Sequence, residues 1–395
     1  MNEAVWTGQV LCCAVGLMAC SFARPPELME SKDGAVDDAS PPTDEGPPPL
    51  DAQTCFGTII VKVCLATSPA EDLVSLGGVI DTTSSTLCAP LASGGDYCVI
   101  AAKTITLQTA LQAIGTRPLV LLASETVTTN ATIDVASHRV AGSDEIGAGA
   151  DPVGLCVPGT APQTASASSG GGAGGSFTGV GGPGGAGADL DVNAGGAGGL
   201  PGTTNIIVNE LRGGCPGQKG AAAALADAGA VGHGGGAIFL LAGRSITVQQ
   251  TINASGEGGG GGTANISGGG GGGAGGLIGF DAPAITINGR LIANGGGGGE
   301  GSVAGSSGDN GHEAIFTNID AAGGGQNIQF GGNGGRGSSI STGAAAGAGF
   351  AGSPGTVGAG RGGGGGGGGG AGCVVAPTTA LFIGDASPTP TVLSP

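Results

Sequence analysis

Residues 268–299 read GGGGGGAGGLIGFDAPAITINGRLIANGGGGG, an aliphatic run fenced on both sides by oligoglycine. The inner part, ITINGRLIA at 285–293, overlays three other segments without gaps: ITLQTALQA at 105–113, VTTNATIDV at 127–135 and ITVQQTINA at 246–254. The second position is always Thr (Thr106, Thr128, Thr247, Thr286). The fourth is always an amide (Gln108, Asn130, Gln249, Asn288), and the seventh is Leu or Ile. Each copy follows a short aliphatic segment, CVIA, VLLA, FLLA or GFDA, ending at Ala101, Ala123, Ala242 or Ala282. Repetition of a strand-length unit marks an architecture in which neighbouring units stack and bury a shared interior.

Alternation of period two turns Ile285 and Ile287 inward and Thr286 outward, and it lets Asn288 and its counterparts stack as an amide ladder. The first two copies start 22 residues apart, about one coil of a parallel β-helix, and the later pair 39 apart. The excess matches the glycine-rich block between them. The expected fold is therefore all-β: a parallel β-helix or β-solenoid with long glycine-rich insertions at its corners, preferred over an irregular antiparallel sheet. Asn288-Gly289 is also a strong hairpin-turn signal. The equivalent positions Thr109, Ala131 and Gln250 in the other copies resist the positive φ such a turn requires, which favours the rung.

Glycine supplies 92 of 395 residues, aromatics 3% and charged residues 10%, so the aliphatic residues must carry the core. The glycine blocks at 170–200, 256–276, 295–311 and 343–372 lack a strict Gly-X-Y period, which excludes collagen. Packed polyproline-II-like strands and disorder are their two alternatives. A net charge of −17 with only 12 Lys and Arg excludes nucleic acid as a partner.

The first residues carry an apolar run, VLCCAVGLMAC, too short to span a membrane and long enough for a signal-peptide core. Leu17-Met18-Ala19-Cys20 resembles a bacterial lipobox, which implies acylation of Cys20, although MNEAVWTGQ lacks the usual positive charge. The segment 21–52, acidic and proline-rich, reads as a solvated tether. The expected organisation is a lipoprotein signal peptide at 1–20, a linker at 21–52, a Cys-rich cap at 53–98 and the solenoid at 99–395.

Seven cysteines remain beyond the signal: Cys55, Cys64, Cys88, Cys98, Cys156, Cys215 and Cys373. None forms a C-x-x-C or joins a His cluster, so disulfides in an oxidising compartment are expected. The first four allow three connectivities, Cys156 with Cys215 closes the first glycine-rich insertion, and Cys373 is left free or pairs between chains.

No catalytic motif stands out. With so many glycines a G-x-G-x-x-G match carries no information, and GGCPGQKGA at 213–221 is not a phosphate loop, because Gly220 follows Lys219. GDNGHE, with Asp309, His312 and Glu313, is the one polar cluster that invites a metal or acid–base role, against a solvated loop. In the column two residues before each repeat stand Lys103, Glu125, Arg244 and Pro283, and an exposed ion pair accounts for the first two.

The lipobox, the tether, the rungs CVIAAKTITLQTALQAIGTRPLVLLA and TIDVAS, GAGADPVGLC and the tandem glycine blocks resemble glycine-rich surface lipoproteins of the myxobacterial type, found in predatory and social soil bacteria. The rungs also look like those of filamentous haemagglutinin-type adhesins. The resemblance covers Cys98 to the C-terminus; it implies location and architecture and brings no activity. The expectation is a non-catalytic cell-surface or outer-membrane lipoprotein with a structural, adhesive or envelope-interaction role. Its partners are the membrane, through its anchor, and an envelope glycan or surface protein; no cofactor and no metal site are expected. The alternatives are a β-helical polysaccharide lyase or hydrolase and, more remotely, an ice- or glycan-binding protein using the Thr column.

Overall fold

A computed structural model describes residues 54–393, except 90–94, 141–142, 166–167, 189–194, 205–207, 223–226, 264, 316–320, 326–330, 340–352 and 356–360. Cys20 and the 21–52 tether lie outside the described residues. What is described falls in one compact unit, Asp51–Pro395.

An antiparallel hairpin comes first, β1 (Thr54–Phe56) and β2 (Val63–Leu65), cross-linked by Cys55–Cys64. After β3 (Gly78–Asp81), the first two rungs are β4 (Cys98–Leu107) with β5 (Leu111–Ile114), and β6 (Leu119–Thr129) with β7 (Ile133–Asp134). A second hairpin follows, β8 (His138–Val140) and β9 (Ser143–Glu145). The later rungs are cut into three strands. These are β10 (Ala237–Ala242), β11 (Ser245–Val248) and β12 (Ile252–Asn253), then β13 (Leu277–Asp281), β14 (Ala284–Ile287) and β15 (Leu291–Ile292). A last set comprises β16 (Cys373–Pro377), β17 (Ala380–Phe382) and β18 (Ala386–Ser387), followed by β19 (Thr391–Leu393).

The repeat governs pairing. Thr106 pairs with Thr128, Thr128 with Thr247 and Thr247 with Thr286, all in parallel register. Leu381 continues the row from a further rung that lacks the Thr and amide signature. Long β4 and β6 give way to strand pairs where Gly243 and Pro283 interrupt the later rungs, since Gly weakens a strand and Pro cannot donate to its ladder.

The two halves of a rung bury differently. In the second half alternation holds: Ile105, Leu107, Val127, Ile246, Val248, Ile285 and Ile287 are at most 2% exposed, and the intervening Thr residues are half-buried. Burial of each such aliphatic side chain is worth about 1.5–3 kcal/mol. In the first half both faces are covered. Leu121, Leu240 and Ile278 face the interior shared by the rungs, whereas Val120, Leu122, Phe239 and Leu241 pack with Val61, Val63, Phe177 and Ala274. This explains the unbroken aliphatic runs LVLLA and AIFLLA.

The structure corrects the expected β-solenoid. Strands join a nine-stranded sheet and a separate six-stranded one, β18-β15-β12-β7-β5-β3, which curls as a half-barrel, and two antiparallel hairpins accompany them. Uniform coils do not form because the chain between rungs is largely glycine, with no side chains to line an aliphatic interior. Those segments pair with one another instead.

Segment 268–276 shows how. Its amides donate at a three-residue stride to three neighbours: Gly268, Gly271 and Ala274 to the carbonyls of Ala221, Gln218 and Cys215; Gly269, Gly272 and Gly275 to Gly364, Gly367 and Gly370; Gly270, Gly273 and Gly276 to Gly260, Glu257 and Ala254. Its carbonyls accept at the same stride from three others, including Gly172 and Gly175, Gly229 and Gly232, and Gly299 and Gly296. Three residues per turn is the repeat of polyproline II, which has no internal hydrogen bonds, so every bond goes to a neighbour. The central segment is thus surrounded by six others. A Cβ on Gly271 would lie 1.9 Å from the Ala173 carbonyl oxygen, and one on Gly272 2.2 Å from that of Gly296. Backbone on backbone at this spacing excludes any side chain.

The substitution Gly272→Ala is therefore expected to destabilise by at least the ~1–3 kcal/mol of an overpacked core, seen as a fall in Tm. Gly154→Asn, at an open site with φ +80°, is expected to leave Tm unchanged; equal effects would contradict the packing. Peptide mapping without reduction should give Cys55–Cys64, Cys88–Cys98 and Cys156–Cys215. Cys373 is buried, and burial pushes its thiol up to about 11. It should react with a maleimide only after denaturation.

Candidate functional site

The densest polar constellation among the described residues lies where the β8–β9 hairpin meets the glycine segments. Antiparallel pairing sets Arg139 opposite Asp144 and His138 opposite Glu145. The guanidinium of Arg139 approaches Asp144 Oδ1 at 3.4 Å and Glu257 Oε1 at 2.6 Å. It also donates to the carbonyls of Val231 and Gly258, backbone groups at the border of the glycine layer. Glu257 interrupts a glycine run, and its side chain is wholly buried. Burial raises its carboxyl to about 7, against the opposing pull of Arg139.

Each of two histidines is held between carboxylates. His138 Nδ1 is 2.7 Å from Glu313 Oε2 and its Nε2 is 3.3 Å from Asp134 Oδ2. The backbone amide of Arg139 donates to the other oxygen of Glu313, at 2.7 Å. Hydrogen bonds to Asp134 and then Glu313 raise the imidazole to about 10, so it is a fixed cation near neutrality. With both ring nitrogens occupied, it anchors the hairpin to residue 313 and has no free position for proton transfer. His233 Nδ1 is 2.5 Å from Asp151 Oδ2, and its Nε2 is 3.6 Å from Asp144 Oδ2. The bond to Asp151 is the main cause of its raised pKa.

Asp144, His233 and Glu257 present ligand-type atoms within 4.8 Å of one another, so these are the residues able to share a metal ion. No spacing in the sequence joins them. The visible signal is a charged residue inside a glycine block, Glu257.

The residues singled out from the sequence are placed differently. The GDNGHE stretch does not act as one group: Glu313 serves His138, the Asp309 amide donates to Glu300, and His312 lines a cleft with Asn333, Arg336 and Ser353. Lys103 sits at the irregularity in the β4–β6 register, and no ion pair with Glu125 occurs among the described residues. In the amide column, Asn288 Nδ2 donates to Gln249 Oε1 at 3.1 Å, one link of a ladder.

The histidine clamps fix a pH dependence. A histidine whose pKa is raised by folding lends stability that is complete below its unfolded value near 6.5. That stability is lost as pH rises through the folded value, about 10 for His138. Glu257, raised to about 7, acts in the same sense at lower pH. Tm is expected to fall from pH 6 to pH 10, and His138→Gln to flatten much of that fall. An unchanged slope in His138→Gln would refute the clamp.

Comparison of the chain with protein-family models, curated proteins and solved structures gives no match.

Proposed function

We propose that the protein is an exported, lipid-anchored and non-catalytic component of the cell envelope, with a structural or adhesive role. The observation that supports this best is an apolar loop held by a disulfide on the glycine layer. Val153 is fully exposed, and Leu155 and Val157 are exposed beside it. Cys156, between them, is bonded to Cys215 in a glycine segment. Leu200, also exposed, lies close by: its amide donates to Thr160, and Gly202 abuts the Val157 carbonyl. Large apolar side chains grouped on the surface are a mark of interaction sites, whereas single ones are ordinary.

Three disulfides fit an oxidising compartment, where small or loop-rich structures gain from cross-links. The acidic tether after Cys20 would hold such a scaffold away from a membrane. The half-buried Thr row offers a second flat face, although Thr also favours strands for packing reasons alone.

Expression of the full chain in a bacterial host with lipoprotein export should give a membrane-associated protein acylated at Cys20, released to the soluble fraction by Cys20→Ala. The acylated protein should co-sediment with isolated envelope material, and Val153→Asp with Val157→Asp should reduce this without altering Tm. A reduced, unmodified chain starting at Met1 in the cytoplasm would overturn the reading.

A further inference from the structure

We propose that Asp144, His233 and Glu257 bind one divalent transition-metal ion of the zinc class, which fastens the β8–β9 hairpin to two glycine segments. The three donors come from parts of the chain far apart in sequence, yet their ligand atoms lie within 4.8 Å of one another. Asp144 Oδ2 and His233 Nε2 are 3.6 Å apart. Donors at about 2.0–2.1 Å from a tetrahedral ion stand roughly 3.3 Å from each other, so the Asp144–His233 pair needs only a small contraction, and Glu257 closes in from within 4.8 Å.

A second observation concerns the imidazole. Asp151 holds His233 Nδ1 at 2.5 Å through one oxygen, while its other oxygen accepts the Gly234 amide at 2.8 Å. This carboxylate–histidine arrangement fixes the tautomer and leaves Nε2 as the coordinating nitrogen, aimed at Asp144. The Arg139 nitrogens engage Asp144 Oδ1 and Glu257 Oε1, so Asp144 Oδ2 faces the histidine, while Glu257 Oε2 accepts the His233 amide at 3.2 Å. The carboxyl groups of Asp144, Asp151 and Glu257 outnumber the one guanidinium, so the cluster is acidic, as a divalent ion requires. Glu257, wholly buried, supplies the inner carboxylate, and Asp144, at the surface, leaves room for a solvent ligand. Three protein donors with an open fourth position match the ligand count of an open zinc site, here with one imidazole and two carboxylates.

The test uses the tag-free full chain with its disulfides intact, stripped with a chelator and titrated calorimetrically with zinc chloride at neutral pH. One equivalent should bind, with a rise in Tm. Asp144→Asn and His233→Gln should abolish that equivalent, and Asp151→Asn should weaken it about 10- to 100-fold, as expected for loss of an orienting carboxylate. Circular dichroism checks that each variant is folded, and Asp144 is the safest of the three because its side chain is at the surface. His138→Gln should leave binding intact, which separates this site from the neighbouring His138–Asp134–Glu313 group. Absence of saturable binding in the unsubstituted protein would overturn the proposal. So would binding that survives Asp144→Asn in a folded protein, or binding lost only in His138→Gln.

Discussion

Hydrogen bonding between glycine segments at a three-residue stride is the constraint on which the fold depends. A polyproline II strand cannot satisfy its own amides and carbonyls, and buried backbone groups left unpaired are costly. Segment 268–276 satisfies them through six neighbours, which requires each approaching backbone to meet another with no Cβ between them. Glycine loses more conformational entropy on ordering than any other residue, so the arrangement holds only where hydrogen bonding is saturated and the β-strands give it a fixed base. Ala274, whose Cβ points into the cluster containing Phe177, Phe239 and Leu277, is one place where the two layers join.

The edge of this layer raises the problem that exposed edges pose for β-sheets: unpaired backbone groups facing outward. Arg139 answers it at one border by donating to Val231 and Gly258 while neutralising Glu257. The charged cluster thus begins as a structural necessity. Two histidines between carboxylates then tie distant segments, residues 138 and 313 in one case and 151 and 233 in the other, which accounts for a cluster so dense in a chain with 10% charged residues.

Much of the β-structure was legible in the sequence. The Thr and amide columns gave the parallel pairing of four rungs, because a period-two pattern with one buried face tolerates a single register. The last rung was not legible: Leu381 stands where Thr stands elsewhere, and Asp385-Ala386 replaces the Arg290-Leu291 of the preceding copy. Closure into a solenoid was a false inference, since the repeat specifies which strands neighbour each other and says nothing of how the chain returns between them. The glycine blocks carry no pattern of side chains, so the sequence leaves packed polyproline-II-like strands and disorder as alternatives for these insertions, and the bonds at a three-residue stride fit the first. The missing Gly-X-Y period has a physical meaning in retrospect. Collagen turns two of three residues outward, whereas a central strand with neighbours on every side needs small residues at all three positions. The charged cluster was illegible for a different reason, its members being brought together only by the packing of glycine segments.

Hydrogen exchange of the amides of Gly268–Gly276, followed by NMR in the native state, tests the central claim most directly. These amides should be protected to a degree comparable with Leu240 and Leu241 in β10. Exchange at the rate of an unstructured chain would contradict the lattice, and with it the account of why this protein carries so much glycine.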